Sequence, residues 1–301
     1  YCDPSQSSSW AGDVKLNGVY KGIKSDPRLT YLRLGSADKV NDYDAVFEHF
    51  LEYVEFCKDT LTGIGTLGGE PLMSPYFWSF VDRLQHIEFN NKITLDITTN
   101  LSNKKLLGKI IDIAVSNDID LIFVVSIENI LAKAEAVRHG LKWDDFSENL
   151  HFLLNNTNYE VRLTCTVNNL AIDGLVEFLD WYNRLFANYP GRLKLYMYPV
   201  RHPNFQALQV LPDSLKAHYK KQIDFWLNDS TIYDNNIYQV VSSVSSILSK
   251  SSTEFEGVDT QVLESSARAF YKEYASRRHF NISETFSDEL TNWIFNGEHN
   301  G

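Results

Sequence analysis

The sequence predicts an α/β protein built around a parallel sheet, on three observations. Strand-like runs alternate with helical patterns at a repeat of roughly 30–40 residues. One run, I-D-L-I-F-V-V-S-I at 119–127, is nearly continuous in apolar residues, the pattern of a strand buried on both faces. Each gap between strand-like runs is also long enough to hold the crossover helix that parallel neighbours require.

The first strand is T-G-I-G-T-L (62–67), which stops at Gly68-Gly69-Glu70-Pro71. P-Y-F-W-S-F-V-D-R-L-Q-H-I (75–87) follows as a helix, with Ser74 placed to cap it. K-I-T-L-D-I-T-T-N (92–100) alternates like a strand, and K-K-L-L-G-K-I-I-D-I-A-V (104–115) carries a helical apolar stripe. After the run at 119–127, residues 130–139 and 143–155 read as two short helices. E-V-R-L-T-C-T-V (160–167) is the next strand, D-G-L-V-E-F-L-D-W-Y-N-R-L-F (173–186) an amphipathic helix, and R-L-K-L-Y-M-Y-P-V (192–200) the last strand. Residues 213–228 and 261–277 read as helices, and the Ser-rich segment around 242–253 has no assigned form. An open doubly wound sheet and a closed or partial barrel both satisfy this pattern. In either, chemistry gathers in the loops at the C-terminal strand ends.

With 301 residues, 44% of them apolar, the chain can bury one large core or two smaller ones. A net charge of -11 excludes a general nucleic-acid binder, since no basic block could neutralise a run of phosphates. No uninterrupted apolar run approaches the roughly 18–20 residues that span a bilayer, and no leader pattern is present, so a soluble, cytoplasmic protein is expected. Three cysteines make no disulfide framework. Cys57, in a helical pattern, and Cys165, in a strand, read as buried small hydrophobes; Cys2 sits in loop chemistry beside an aromatic. Trp143, Trp181 and Trp226 fall at helical spacing and read as core.

Polar residues follow every strand: Gly68-Gly69-Glu70-Pro71, Thr98-Thr99-Asn100, Ser126-Ile127-Glu128-Asn129, Thr166-Val167-Asn168-Asn169, and Pro199-Val200-Arg201-His202-Pro203. Any one of these is a turn or a helix cap; five on one edge point to a ligand. At 68–71, paired glycines leave backbone groups open to a ligand, and the carboxylate can hold a cation such as an ammonium. A phosphate loop is excluded, because no Lys-Ser/Thr follows and an acid there repels phosphate.

G-T-L-G-G-E-P-L (65–72), followed by a helix, resembles the G-G-E-P motif of radical S-adenosylmethionine (SAM) enzymes. The opening Y-C-D-P-S-Q-S-S-S-W is similar to the end of that family's C-x-x-x-C-x-x-C motif, in the form found in its SPASM and twitch subgroup. E-A-V-R-H-G-L-K-W-D-D-F-S-E-N-L (135–150) resembles the same subgroup's R-x-G-x-x-W…N-L stretch. The resemblance runs from residue 1 to about 215, and F-Y-K-E-Y-A-S-R-R-H-F…E-T-F (270–286) is similar to the subgroup's terminal helix region, placing the natural end nearby.

This resemblance implies a partial (β/α)6 TIM-like barrel with parallel strands and its first strand missing, over residues 1–212, plus a mainly helical C-terminal extension over 213–301. It implies a [4Fe–4S] cluster and SAM as cofactors, with reductive SAM cleavage giving a 5′-deoxyadenosyl radical that abstracts hydrogen from a substrate. Cys2 becomes the third cluster cysteine, both metal ligand and catalytic residue, with Tyr1 against the adenine; the other two cysteines are expected upstream, so these residues alone are expected to be inactive. Gly68, Gly69 and Glu70 face the SAM ammonium, Ser126 the ribose or methionyl carboxylate, and Arg138 that carboxylate. Asn100 reaches the ribose or sulfonium region, and Val167 packs near adenine. Each has a plainer counterpart: a surface arginine, a capping hydroxyl, a turn asparagine, a core valine. Glu128 stands where the family often has Asp, and His202 reads as a loop histidine. A peptide or protein is the substrate class that relatives with auxiliary domains often use, with flavodoxin or ferredoxin as electron donor, no nucleic acid and no membrane. Two further readings remain open: a cluster-less SAM-binding or scaffold homologue, and an unrelated hydrolase or lyase using Glu70, Glu128 and His202 as acid/base groups.

Overall fold

Five parallel strands form the centre of the computed structural model, which describes residues 7–24, 43–229, 231–250, 254–255 and 257–296. They are β1 (Gly63–Thr66), β2 (Thr94–Thr99), β3 (Asp120–Ser126), β4 (Glu160–Val167) and β5 (Leu193–Pro199), and they lie side by side in that order. Among the described strands the order has no reversal point, unlike that of a doubly wound sheet. With every right-handed crossover stepping the same way, the connecting helices lie on one face. These are α3 (Pro75–Leu84), α4 (Lys104–Ser116), α5 (Leu131–Val137), α6 (Trp143–Asn156) and α7 (Leu175–Asn188). Two more described helices precede β1: α1 (Ser8–Asn17) and α2 (Tyr43–Phe56).

Strict alternation of burial shows what the sheet separates. Leu95 and Ile97 of β2, Leu121, Phe123 and Val125 of β3, and Val161, Leu163 and Cys165 of β4 are buried against the helices. The opposite face is partly open. It carries Thr98, Ser126, Thr164 and Thr166, and on β5 Lys194, Tyr196 and Tyr198. β3 is therefore not buried on both faces, as its apolar run suggested. Ile122 and Val124 are only half-buried, because no described helix covers their side. Low on this face, Arg162 donates to Asp96 (3.1 Å) and Glu160 (2.5 Å), and Lys194 donates to Glu160 (2.5 Å), so two acids and two bases neutralise one another.

Local chemistry sets most element boundaries. Asn103 accepts the Leu106 N–H at 3.0 Å and starts α4, whereas Ser74 holds the cap position of α3 without a side-chain cap bond; Pro75 at the first turn makes the start instead. The serine-rich opening, for which the sequence pattern gives no helix, is helical from Ser8, with Ser7 as its cap. Cys165 is buried as expected, but Cys57 lies just past the end of α2 and is half-exposed. Trp226 is core, while Trp143 and Trp181 are half-buried and meet edge to face at 5.5 Å.

The C-terminal residues pack as α8 (Asp213–Asp229), α9 (Asn235–Leu248), a short hairpin of β6 (Glu254–Phe255) and β7 (Val258–Asp259), α10 (Thr260–Arg278), α11 (Ile282–Thr285) and α12 (Asp288–Asn296). The Ser-rich segment is helical through Leu248. Asp173, buried at the entry to α7, is the hub that ties this region to the sheet layer. Its carboxylate accepts from Lys133 (3.0 Å), Tyr219 (2.9 Å) and the Ser287 N–H (3.0 Å) and hydroxyl. Among the described residues no helix is long and apolar enough to cross a membrane.

Candidate functional site

Because all five strands are parallel, all five polar exit loops leave the same edge of the sheet. Most of their polar groups turn out to bind each other. Glu70 reaches across to the end of β2, where Oε1 accepts from the Thr99 hydroxyl and Oε2 from the Asn100 N–H, both at 2.8 Å. Thr99 in turn accepts the Leu101 N–H, and the Asn100 side chain accepts the Ser102 N–H, each at 3.0 Å. Asn100 is thus the turn residue of the β2 exit. Burial pushes the Glu70 carboxyl above its usual range, and the hydrogen bonds from Asn100, Thr99 and Leu72 offset only part of that.

One consequence can be measured through folding. A carboxyl whose folded pKa is raised holds its proton more tightly in the native state. Its contribution to stability is therefore complete below the unfolded value of about 4.3 and is lost as pH rises through the folded pKa. Thermal melts between pH 4 and pH 7 are expected to show a smaller fall in stability for Glu70→Gln than for the wild type. Parallel curves would contradict the assignment.

The β3 exit is closed by a second carboxylate. Glu128 is 1% exposed, and Arg138 grips it side-on: Nε to Oε2 at 3.0 Å and Nη2 to Oε1 at 2.5 Å. Arg138 sits at the C-terminal cap of α5, so this fork fixes the helix to the strand end. Asn129 donates to the Ala171 carbonyl (2.9 Å), Asn149 of α6 to the Leu101 carbonyl (2.6 Å), and Asn169 to the Phe205 carbonyl (2.9 Å). Asn168 accepts the Leu170 and Ala171 N–H groups at 2.9 and 2.7 Å. These buried amides are struts between loops, which is how buried polar groups meet their bonding demand.

Two groups stay oriented toward a possible ligand. Gly68 has a φ of +112°, a conformation that favours glycine, and a Cβ built at either Gly68 or Gly69 would meet nothing within 4 Å. Both glycines line a cleft of about 420 Å³ beside β1, walled by Phe47, Phe50, Phe77 and Phe80. Ser126 is half-buried on the partly open face of β3.

Val167 does not share that face. Alternation along β4 turns it into the core beside Cys165, fully buried, so its side chain is not offered to a ligand; Thr166 faces the open side instead. Tyr1 and Cys2 lie outside the described residues. The acid/base reading through Glu70, Glu128 and His202 loses its carboxylates, since Glu70 closes on β2 and Glu128 on Arg138.

Tested against SAM, the edge fits in part. The open glycine pair, Ser126 and the Arg138 guanidinium suit the backbone-and-guanidinium recognition of an amino acid's polar groups. Glu70 gives one lone pair of each oxygen to the end of β2, which fixes the carboxylate and leaves it lone-pair capacity for a further donor. For the cluster, no group of three or more His, Cys, Asp or Glu that could hold a metal stands among the described residues. Sequence reading had no means of seeing the Glu128–Arg138 pair, although both residues were in view ten positions apart. No family model, curated protein or solved structure matches this chain.

Proposed function

We propose that the chain is the greater part of a radical SAM enzyme, with a SAM pocket at the C-terminal edge of the sheet. The observation that carries the reading is the convergence of separate motif segments on one edge. The G-G-E-P loop is bonded to the Thr-Thr-Asn end of β2, and the arginine of the R-x-G-x-x-W stretch is bonded to the exit of the serine-bearing strand β3. Adjacent parallel strands bring their exit loops together in any such sheet; what supports the reading is that the residues joined there are those of the matched motifs.

In this reading the sheet is part of a (β/α)6 barrel. Sequential strand order supports it, as does the outer edge of β1, beside which no other described strand lies. An unpaired edge next to an apolar cleft is where a further strand would complete the sheet. The partly open face then looks into the barrel. Tyr196 and Tyr198, 38% and 57% exposed, stand on it beside Thr164 and Thr166 and are offered to the substrate.

A [4Fe–4S] cluster held in part by Cys2 would supply the electron for reductive SAM cleavage. The described residues do the positioning. Gly68 and Gly69 admit the methionyl end of SAM against the backbone, Arg138 meets its carboxylate while anchored by Glu128, and Ser126 holds it from β3. Glu70 shapes the loop.

Anaerobic reconstitution of the full-length protein with iron and sulfide tests this. Cluster absorption and release of 5′-deoxyadenosine are expected in the wild type, and loss of both in Cys2→Ala. Persistence of both in that variant would remove the catalytic reading. SAM binding without any cluster would select the scaffold alternative.

A further inference from the structure

One side chain of the C-terminal extension touches both the end of α5 and the N-terminal helix α1. The Tyr274 hydroxyl on α10 donates to the Ala136 carbonyl at 3.1 Å and also approaches the Val137 carbonyl at 3.4 Å. These are the two carbonyls immediately before Arg138. α5 has only seven residues, and its terminal carbonyls have no partner further along a helix. Tyr274 supplies one from a different part of the chain.

The same ring carries the N-terminal segment. Trp10 of α1 stacks on Tyr274 at 5.9 Å and 27°, and Phe270 stacks on Tyr274 at 5.6 Å and 19°. The Arg278 guanidinium lies over both Trp10 (5.2 Å) and Tyr274 (5.8 Å). Next to this stack, Arg277 donates to the Gly18 and Val19 carbonyls at 2.8 and 3.1 Å, and Asp13 faces Arg277 and Arg278 at 3.4 Å each. Burial pushes the Tyr274 hydroxyl up to about 12, so it keeps its proton and stays a donor across the physiological range.

We infer that Tyr274 is a positioning residue: by capping α5 it sets the guanidinium of Arg138 against Glu128 and toward SAM, and makes the C-terminal helix part of the cofactor site. The inference rests on the SAM reading above. Its logic is geometric. Arg138 hangs from the last turn of a helix too short to fix its own end, and the angle at which the fork leaves that end depends on the Tyr274 bond.

The test compares Tyr274→Phe with Tyr271→Phe. Tyr271 lies on the same helix and is also buried, but its hydroxyl bonds Asn169 and not α5. SAM is titrated calorimetrically into each full-length protein, the Arg138 Nε–H resonance is followed by NMR, and thermal melts are recorded. Both variants are expected to melt a few degrees lower. Only Tyr274→Phe should move the Arg138 Nε–H signal and weaken SAM by about fivefold, the effect of one net hydrogen bond. An unmoved Arg138 signal with unchanged SAM affinity in Tyr274→Phe would overturn the inference alone. Equal effects in both variants would also overturn it, as general loosening. Absence of SAM binding in the wild type would overturn the SAM reading and the inference with it.

Discussion

Arg138→Met is expected to destabilise the protein by about 3 kcal/mol, the low end of the range for breaking a buried ion pair, because 27% of the arginine side chain remains exposed. The physical cause is the partner left behind. Glu128 is 1% exposed, and without the fork its charge has neither water nor a counter-ion. For a chain of 301 residues the melting temperature should fall by about 5 °C. The same substitution should weaken SAM, since it deletes the group proposed to meet the methionyl carboxylate. Adding Glu128→Gln separates the two effects. The double variant should recover at least about half of the lost stability, the carboxylate's charge having gone, yet none of the SAM affinity. If stability and affinity recover together, Arg138 serves the fold and not the ligand.

Asp173→Ala is expected to cost about 3 kcal/mol, and its effect should spread differently. This carboxylate accepts from Lys133 on α5, Tyr219 on α8 and Ser287 ahead of α12, so its removal leaves a buried phenol without its acceptor and takes one partner from half-buried Lys133, which keeps the Asp173 carbonyl and Glu177. Hydrogen exchange should accelerate in α8 and α12 well before the strands, because the strands are bonded to one another independently of Asp173. Asp173→Asn keeps an acceptor oxygen and loses the charge facing Lys133, and should fall between the wild type and Asp173→Ala. Uniform acceleration through β2–β4 would show that the C-terminal helices and the sheet do not separate at this hub.

The sheet was readable because its code is local. E-V-R-L-T-C-T-V alternates in the sequence and alternates in burial over the same eight residues. What the pattern could not say was which face stays open. In I-D-L-I-F-V-V-S-I both faces are apolar, and only the one-sided helix layer, a consequence of strand order, leaves Ile122 and Val124 half-buried. α1 was missed because S-S-W-A-G-D-V-K-L-N has no apolar stripe; it is held by Trp10 against α10, far along the chain.

The candidate edge divides the same way. The residue types at each strand end were visible, and so was their shared location once the strands were read as parallel. Their partners were not. Whether Glu70 faces a ligand or Thr99, and whether Arg138 reaches a ligand or Glu128 first, depends on loop geometry that no spacing encodes. Val167 was placed one residue out of phase, since alternation gives the open face to Thr166. Tyr274 gave no signal at all, being separated by 138 residues from the carbonyl it binds.

The central claim is that SAM binds at the C-terminal edge of this sheet, and chemical-shift mapping tests it most directly. SAM titrated into the isotope-labelled full-length protein should move the backbone amides of Gly68, Gly69 and Ser126 and the Arg138 side chain together, saturating at one affinity, while amides at the opposite edge around Asn91 and Asn117 stay still. Saturating SAM that leaves those four residues unmoved, or shifts resonances only elsewhere, would contradict the account.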